Sequence, residues 1–162
     1  MKHTLLMVIF WACSCALYAQ GKKEISLEDI FTKGTFKQDV VAGFRSLKDG
    51  KYYSELSKDN VLQKVSFETG KPEATLVNFK DLRFNGKELK VDDYTFNENE
   101  SKLLLFTEGE NIYRRSVLHR VYVYDFNSKK IEQVRKEKIL HASFSPLSDK
   151  VAYVFENNLY YY

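Results

Sequence analysis

The chain lacks the motif that a serine hydrolase uses to present its nucleophile. Such a serine sits on a sharp strand-to-helix turn with the pattern Gly-x-Ser-x-Gly, because only glycines leave room for the bend. No glycine of this chain lies two residues before a serine; the seven are Gly21, Gly34, Gly43, Gly50, Gly70, Gly86 and Gly109. We therefore expect no catalytic residue of this type among the 162 residues.

Metal and acid–base chemistry are also poorly supported. A metal site needs clustered His, Cys or carboxylate ligands, whereas His119 and His141 stand 22 residues apart and no cysteine follows Cys15. Both histidines are expected to be ordinary strand or loop residues, and no metal or cofactor is predicted. The pair Asp92-Asp93 could serve as a general acid and base, but the pattern favours a turn that leads into a strand.

The first 19 residues have the pattern of a secretory signal peptide. A basic start is followed by an uncharged apolar stretch over residues 4–18 and by the small residue Ala19. This stretch is shorter than the roughly 20 residues of a transmembrane helix. We predict cleavage after Ala19 and export to the periplasm or beyond. An uncleaved membrane anchor and a lipid anchor on Cys13 or Cys15 fit the residues less well.

The charge pattern is that of an ordinary solvated surface. The formal net charge is +3, and acidic and basic residues alternate along the chain. The basic runs 127–130 and 135–138 lack interleaved aromatic residues, so they are interpreted as exposed turns and no nucleic-acid partner is predicted. Because residues 20–162 contain no cysteine, their stability must come from packing.

Residues 20–162 predict a short helix followed by strands. Ser26 and Asp29 can form a capping box at the start of a helix over residues 27–33, which Gly34 ends. Beyond this helix the apolar residues follow a period of two, and the aromatic share of 15% favours strands. Strands are predicted over residues 61–67, 74–79, 102–107, 117–126, 131–134 and 151–155, the last closing a hairpin through Glu156-Asn157-Asn158.

Three segments repeat one pattern, in which an aromatic residue precedes a polar turn, a lysine and an apolar strand. They are residues 43–53, 94–104 and 142–152, and aligning Ser46, Asn97 and Ser145 gives offsets of 51 and 48 residues. Such a period with four strands per unit is typical of a β-propeller blade. We predict an all-β fold, a partial β-propeller of two to three four-stranded blades in residues 20–162. Since a ring closes with roughly 4 to 8 blades, the chain is expected to be part of a larger protein; a small β-sandwich or barrel is the alternative.

Eight segments together resemble the N-terminal part of the dipeptidyl-peptidase IV family of serine exopeptidases, bacterial branch. The serine-proline strand entry occurs in many propellers, so specificity comes from the order and spacing of the set. The segments are ISLEDIF (25–31), YTF (94–96), KLLLFTE (102–108), IYRRS (112–116), YVYDF (122–126), FSP (144–146), KVAYV (150–154) and NNLY (157–160).

The resemblance implies an eight-bladed propeller followed by a C-terminal α/β-hydrolase domain that holds the catalytic Ser, Asp and His. The complete enzyme would release X-Pro or X-Ala dipeptides from peptides with a free N-terminus, and a homodimer of it is compatible with the resemblance. A family arginine that contacts the substrate's backbone carbonyl maps onto Arg114, whereas Arg115 has no such counterpart. Glu108 and Glu110 do not match the position of the family's substrate-binding glutamate pair. The alternative function is a non-enzymatic periplasmic propeller used for binding.

Overall fold

The computed structural model describes residues 24–38 and 43–162. The chain divides into two compact units, residues 1–40 and residues 41–162. The predicted signal peptide, residues 1–19, lies outside the described residues. No helix in the described part of the chain is long and apolar enough to cross a membrane.

The described part of the first unit contains one short helix, α1 (Leu27–Phe31). Ser26 Oγ accepts a hydrogen bond from the Asp29 backbone N–H, and the Asp29 carboxylate accepts one from the Ser26 backbone N–H, both at 3.1 Å. These two bonds confirm the predicted capping box, which satisfies N–H groups that have no partner within the helix. Gly34 follows with a left-handed φ of +60°, a conformation that glycine adopts without steric penalty.

The described part of the second unit is built from short strands and a single 3₁₀ turn, Phe79–Asp81. In chain order the strands are β1 (Arg45–Ser46), β2 (Tyr52–Leu56), β3 (Val61–Ser66), β4 (Pro72–Asn78), β5 (Arg83–Phe84), β6 (Lys87–Glu88), β7 (Val91–Phe96), β8 (Lys102–Tyr113), β9 (Ser116–Asp125), β10 (Ile131–Gln133), β11 (Leu140–Phe144), β12 (Val151–Phe155) and β13 (Asn158–Tyr161).

These strands form antiparallel sheets in which sequence neighbours pair. Blade 1 is β1–β4, blade 2 is β7–β10, and blade 3 contributes the three strands β11–β13, while β5 and β6 form a small separate hairpin. The predicted all-β fold with four-stranded blades is thereby confirmed. The turn between β12 and β13 places Glu156 and Asn157 at φ +47° and +61°, the geometry expected of a tight hairpin turn.

Strand pairing corrects the alignment of the repeat by one residue. Counted from Ser46, which pairs across its turn with Tyr53, the equivalent residues are spaced by 50 and then 48; the corresponding pairs are Phe96–Leu103 and Phe144–Val151. The sequence alignment superposed Lys51 on Lys102, but the structure makes Tyr52 the equivalent of Lys102. Register is set by the hydrogen bonds that close the turn rather than by the identity of an exposed lysine.

Blade 2 is buried on both of its faces. Leu103, Leu104 and Leu105 are consecutive, so they point alternately to opposite faces, yet each is 0% exposed. Leu103 and Leu105 belong to a cluster with Leu62 of blade 1, and Leu104 belongs to a second cluster with Val151 of blade 3. Burial on both faces explains why this strand is a continuous apolar run rather than an alternating one.

A buried tyrosine links blade 1 to blade 2 by polar contacts. The Tyr94 hydroxyl lies 2.7 Å from Ser54 Oγ and also donates to the Gly43 carbonyl. Tyr94 is 1% exposed, and burial raises the pKa of its hydroxyl. The phenol therefore remains a neutral donor that satisfies blade 1 groups taken out of water.

A surface ion pair links blade 2 to blade 3 at the turns. The Asp149 carboxylate accepts hydrogen bonds from Lys102 Nζ at 2.8 Å and from Asn97 Nδ2 at 3.0 Å. Lys102 first, and then Asn97, hold the pKa of Asp149 below its usual range. Together with the shared core, this contact fixes blade 2 between its neighbours.

Candidate functional site

The hairpin of blade 2 projects beyond its sheet. β8 and β9 have 12 and 10 residues, whereas the corresponding hairpins β2–β3 and β12–β13 have strands of four to six. Pairing of β8 with β7 ends where Thr107 meets Val91. Residues 108–119, which we name the arm, therefore continue as a two-stranded ribbon without the edge strand β7.

Arg114 and Arg115 form the turn at the tip of the arm. Tyr113 pairs with Ser116 on either side of them, so the turn is only two residues long. Both arginines are exposed, and the neighbouring Tyr113 is 76% exposed. The structure thus places the predicted residue Arg114 at the outermost point of a projecting ribbon.

The glutamates of the arm are already engaged along its sides. Glu108 Oε2 lies 3.2 Å from Arg120 Nε, and Glu110 Oε2 lies 3.0 Å from Lys138 Nζ. Among the described residues, Arg114 itself forms no ion pair. Its guanidinium is a planar donor that can hold a carbonyl or a carboxylate in fixed geometry, and it is free to take one from outside the described part of the chain.

The base of the arm contains a contact between β7, β8 and β9. Asp92 Oδ2 accepts a hydrogen bond from the Gly109 backbone N–H at 2.8 Å. The His119 imidazole lies against Gly109, and its Nδ1 is 3.9 Å from the same Asp92 oxygen. His119 Nδ1 is buried and has no hydrogen-bond partner within the described residues.

The remaining sequence candidates are separated from one another. Asp92 and Asp93 lie within β7 rather than in a turn before it, because their backbone pairs with β8; Asp93 forms an exposed ion pair with Arg45 at 3.1 Å. His119 lies in β9 and His141 in β11, as expected of strand histidines. No group of His, Cys, Asp and Glu suited to a metal ion occurs in residues 24–38 and 43–162.

Sequence reasoning did not find the contact at the base of the arm. Asp92 was interpreted as a turn residue and His119 as an ordinary strand residue, and neither assignment links them. Gly109 carried a usable signal, since a glycine inside a strand often marks the close approach of another group. The partners of that approach depend on strand register, which the sequence does not state.

Comparison with known proteins shows similarity to one group of peptidases. Residues 97–162 match the family model described as the dipeptidyl peptidase IV (DPP IV) N-terminal region. Dipeptidyl aminopeptidase B of Saccharomyces cerevisiae is 34% identical over 89 residues, which are 55% of this chain and 11% of that protein. Prolyl endopeptidase FAP of Homo sapiens is 25% identical over 140 residues, 85% of this chain and 17% of that protein.

A solved structure extends the similarity to three dimensions. The crystal structure of Porphyromonas gingivalis dipeptidyl peptidase 4 superposes with a TM-score of 0.72 at 28% sequence identity. The match covers 88% of this chain and 20% of that chain. The chain therefore spans between about a tenth and a fifth of the length of these relatives.

Proposed function

We propose, on the premise that this chain belongs to the dipeptidyl peptidase IV family as its N-terminal region, that it forms propeller blades bordering the substrate cavity of an exported dipeptidyl peptidase. The complete protein would remove X-Pro or X-Ala dipeptides from peptides with a free N-terminus. Hydrolysis would be carried out by a C-terminal hydrolase domain, since no nucleophile motif occurs in residues 1–162. The blades would limit access and help to orient the substrate.

The position of Arg114 is the observation that carries this proposal. It lies within the segment matched by the family model and at the exposed tip of the arm of blade 2. The glutamates on the arm already have cationic partners, so they do not neutralise its charge. We assign to Arg114 a hydrogen bond to a backbone carbonyl of the bound peptide, which would act in binding rather than in bond cleavage.

The test is the steady-state kinetics of the complete peptidase on Gly-Pro-4-nitroanilide. Removing a charge-assisted hydrogen bond of about 1.5–3 kcal/mol predicts that Arg114→Ala lowers kcat/KM by roughly 10- to 150-fold, mainly through KM. Arg114→Lys keeps the charge without the planar fork, so an intermediate loss is expected. The same substrate with an acetylated N-terminus should not be cleaved.

Arg115→Ala is the matched control, because Arg115 neighbours Arg114 in the same exposed turn. It should change kcat/KM by less than about twofold. Unchanged kinetics in Arg114→Ala would remove this residue from the site. Absence of dipeptide release by the wild-type complete protein would instead favour a binding propeller without peptidase activity.

Export is proposed from the first 19 residues. Mass spectrometry of the N-terminus of the protein recovered from the periplasmic or culture fraction should find Gln20 as the first residue. An N-terminus at Met1 in the membrane fraction would support the uncleaved anchor. A lipid-modified Cys13 or Cys15 at the N-terminus would support the lipoprotein alternative.

A further inference from the structure

The arm needs an element that fixes its direction, because it leaves the blade without an edge strand. Regular pairing between β7 and β8 stops at Thr107. The register of β8 against β9 then shifts between Thr107 and Glu110, and Glu108 has a left-handed φ of +51°. Such a β-bulge bends the strand and redirects the residues beyond it.

We propose that Asp92, Gly109 and His119 form a joint at this bend that sets the direction of the arm and so positions Arg114 on the substrate. The assignment of a substrate contact to Arg114 rests on the proposed function. The joint itself is a separate claim about how residues 108–119 are held. None of its three residues is assigned to contact the substrate, so each would act as a positioning residue.

The first part of the joint is the hydrogen bond from the Gly109 N–H to Asp92 Oδ2. At 2.8 Å it continues the connection between β7 and β8 past the end of their regular pairing. A charged acceptor strengthens a backbone hydrogen bond relative to a neutral one. Loss of the Asp92 carboxylate would therefore free the arm at its root.

The second part is the packing of the His119 ring on the bare backbone of Gly109. A Cβ at position 109 would lie 2.9 Å from His119 Cε1, 3.3 Å from its Nδ1 and 3.3 Å from Asp92 Oδ2. Distances below 3.0 Å require something to move. The backbone of Gly109 is not left-handed, so an alanine there would be unfavourable because of the ring and not because of its φ.

The ring cannot easily move aside, because its backbone is held from the opposite edge. The His119 N–H donates to the Ile139 carbonyl at 3.0 Å, and the Ile139 N–H donates to the His119 carbonyl at 2.8 Å. Ile139 is 1% exposed and belongs to the core shared with blade 3. The Phe106 ring also contacts the imidazole edge-on, with a centroid separation of 5.5 Å.

The test is a set of variants in the complete protein, followed by hydrogen exchange of the arm and by the kinetics on Gly-Pro-4-nitroanilide. Gly109→Ala should increase exchange in residues 108–119 and raise KM at least about threefold, with kcat within about twofold. In the His119→Ala background, where the ring is absent, adding Gly109→Ala should have little further effect. Such non-additivity is the signature of a direct contact.

A second background separates positioning from a general loss of stability. If the joint acts through the arginine, Gly109→Ala should not raise KM further once Arg114 has been replaced by alanine. Equal effects of Gly109→Ala with and without Arg114 would overturn the positioning role. Gly50→Ala is the control, since Gly50 has a positive φ but a Cβ there would have no other atom within 4 Å; it should leave KM unchanged.

The asparagine variant keeps the test decisive if Gly109→Ala does not fold. Asp92→Asn retains an acceptor for the Gly109 N–H and should preserve protection of the arm, whereas Asp92→Ala should lose it. Unchanged exchange in both Asp92→Ala and Gly109→Ala would overturn the joint. If Arg114→Ala alone leaves the kinetics unchanged, the proposed function fails, while the exchange data still decide whether the joint exists.

Discussion

Replacing Tyr94 by phenylalanine tests how strongly blade 1 is held to blade 2 by polar contacts. The change removes one oxygen and leaves the ring, which packs edge-on against Phe79 and Phe96. It deletes the 2.7 Å contact with Ser54 Oγ and the hydrogen bond to the Gly43 carbonyl. Any loss of stability therefore reports on hydrogen bonding and not on ring packing.

The magnitude follows from the partners that are left behind. Ser54 is 0% exposed but keeps a 3.3 Å hydrogen bond to the Arg45 carbonyl, so it is only partly unsatisfied. The Gly43 carbonyl loses the tyrosine as a donor. With two hydrogen bonds of about 0.5–1.5 kcal/mol each, the expected loss of stability is about 1–3 kcal/mol.

The assay is native-state hydrogen exchange of peptides from β2 and β7, read by mass spectrometry. A loss of about 1–3 kcal/mol in local opening predicts about 5- to 150-fold faster exchange there. Tyr161→Phe is the matched control, since Tyr161 is 74% exposed and should change exchange by less than about twofold. Ser54→Ala completes a double-mutant cycle with Tyr94→Phe, with a coupling of about 0.5–3 kcal/mol expected.

Two outcomes would refute this reasoning. Exchange in β2 and β7 that is unchanged by Tyr94→Phe would show that the hydroxyl contributes nothing to holding the blades together. Strictly additive effects of Tyr94→Phe and Ser54→Ala would show that the 2.7 Å contact between the two oxygens has no energetic counterpart.

Two further predictions concern the boundary between blades 2 and 3. Leu104→Ala removes a fully buried side chain and should lower stability by about 2–5 kcal/mol, whereas Leu147→Ala, at 95% exposure, should stay within about 0.5 kcal/mol; equal thermal midpoints for the two variants would contradict the assigned core. Because hydrogen bonds from Lys102 and Asn97 lower the pKa of Asp149, its contribution is present above the ordinary carboxyl pKa and is lost as the pH falls through the lowered value. Asp149→Asn should therefore reduce the thermal midpoint slightly at pH 7, by the ~0–1 kcal/mol typical of exposed pairs, and not at all in strong acid. An equal reduction at both pH values would show that the carboxylate charge is not involved.

The sequence predicted those parts of the fold that depend on neighbours along the chain. The capping box of α1 uses residues three apart, and the tight turn after β12 uses residues that accept positive φ. Blade strands with apolar faces followed from the period of two. Each of these features is decided within a few residues, so the local pattern was sufficient.

Features that depend on pairing across the sheet were not predictable in the same way. The strand over residues 102–107 was expected to end at Thr107, but β8 continues to Tyr113. The residues immediately after Thr107, Glu-Gly-Glu-Asn, have low strand propensity and resemble a turn. They are extended because β9 pairs with them and because Asp92 and Lys138 hold them from the two sides.

The arm and the blade that carries it are stabilised by different kinds of interaction, and this difference has a consequence for function. Blade 2 is held by leucines buried on both faces, whereas the arm is held by backbone pairing and by exposed polar contacts such as Glu110–Lys138. Exposed ion pairs contribute little individually, so the arm should open at lower free energy than the strands beneath it. Substitutions in the arm can therefore alter how Arg114 meets a substrate while the blade stays folded. Substitutions in the core, such as those at Leu104, would reduce binding and stability together, and that separation distinguishes a functional projection from a structural one.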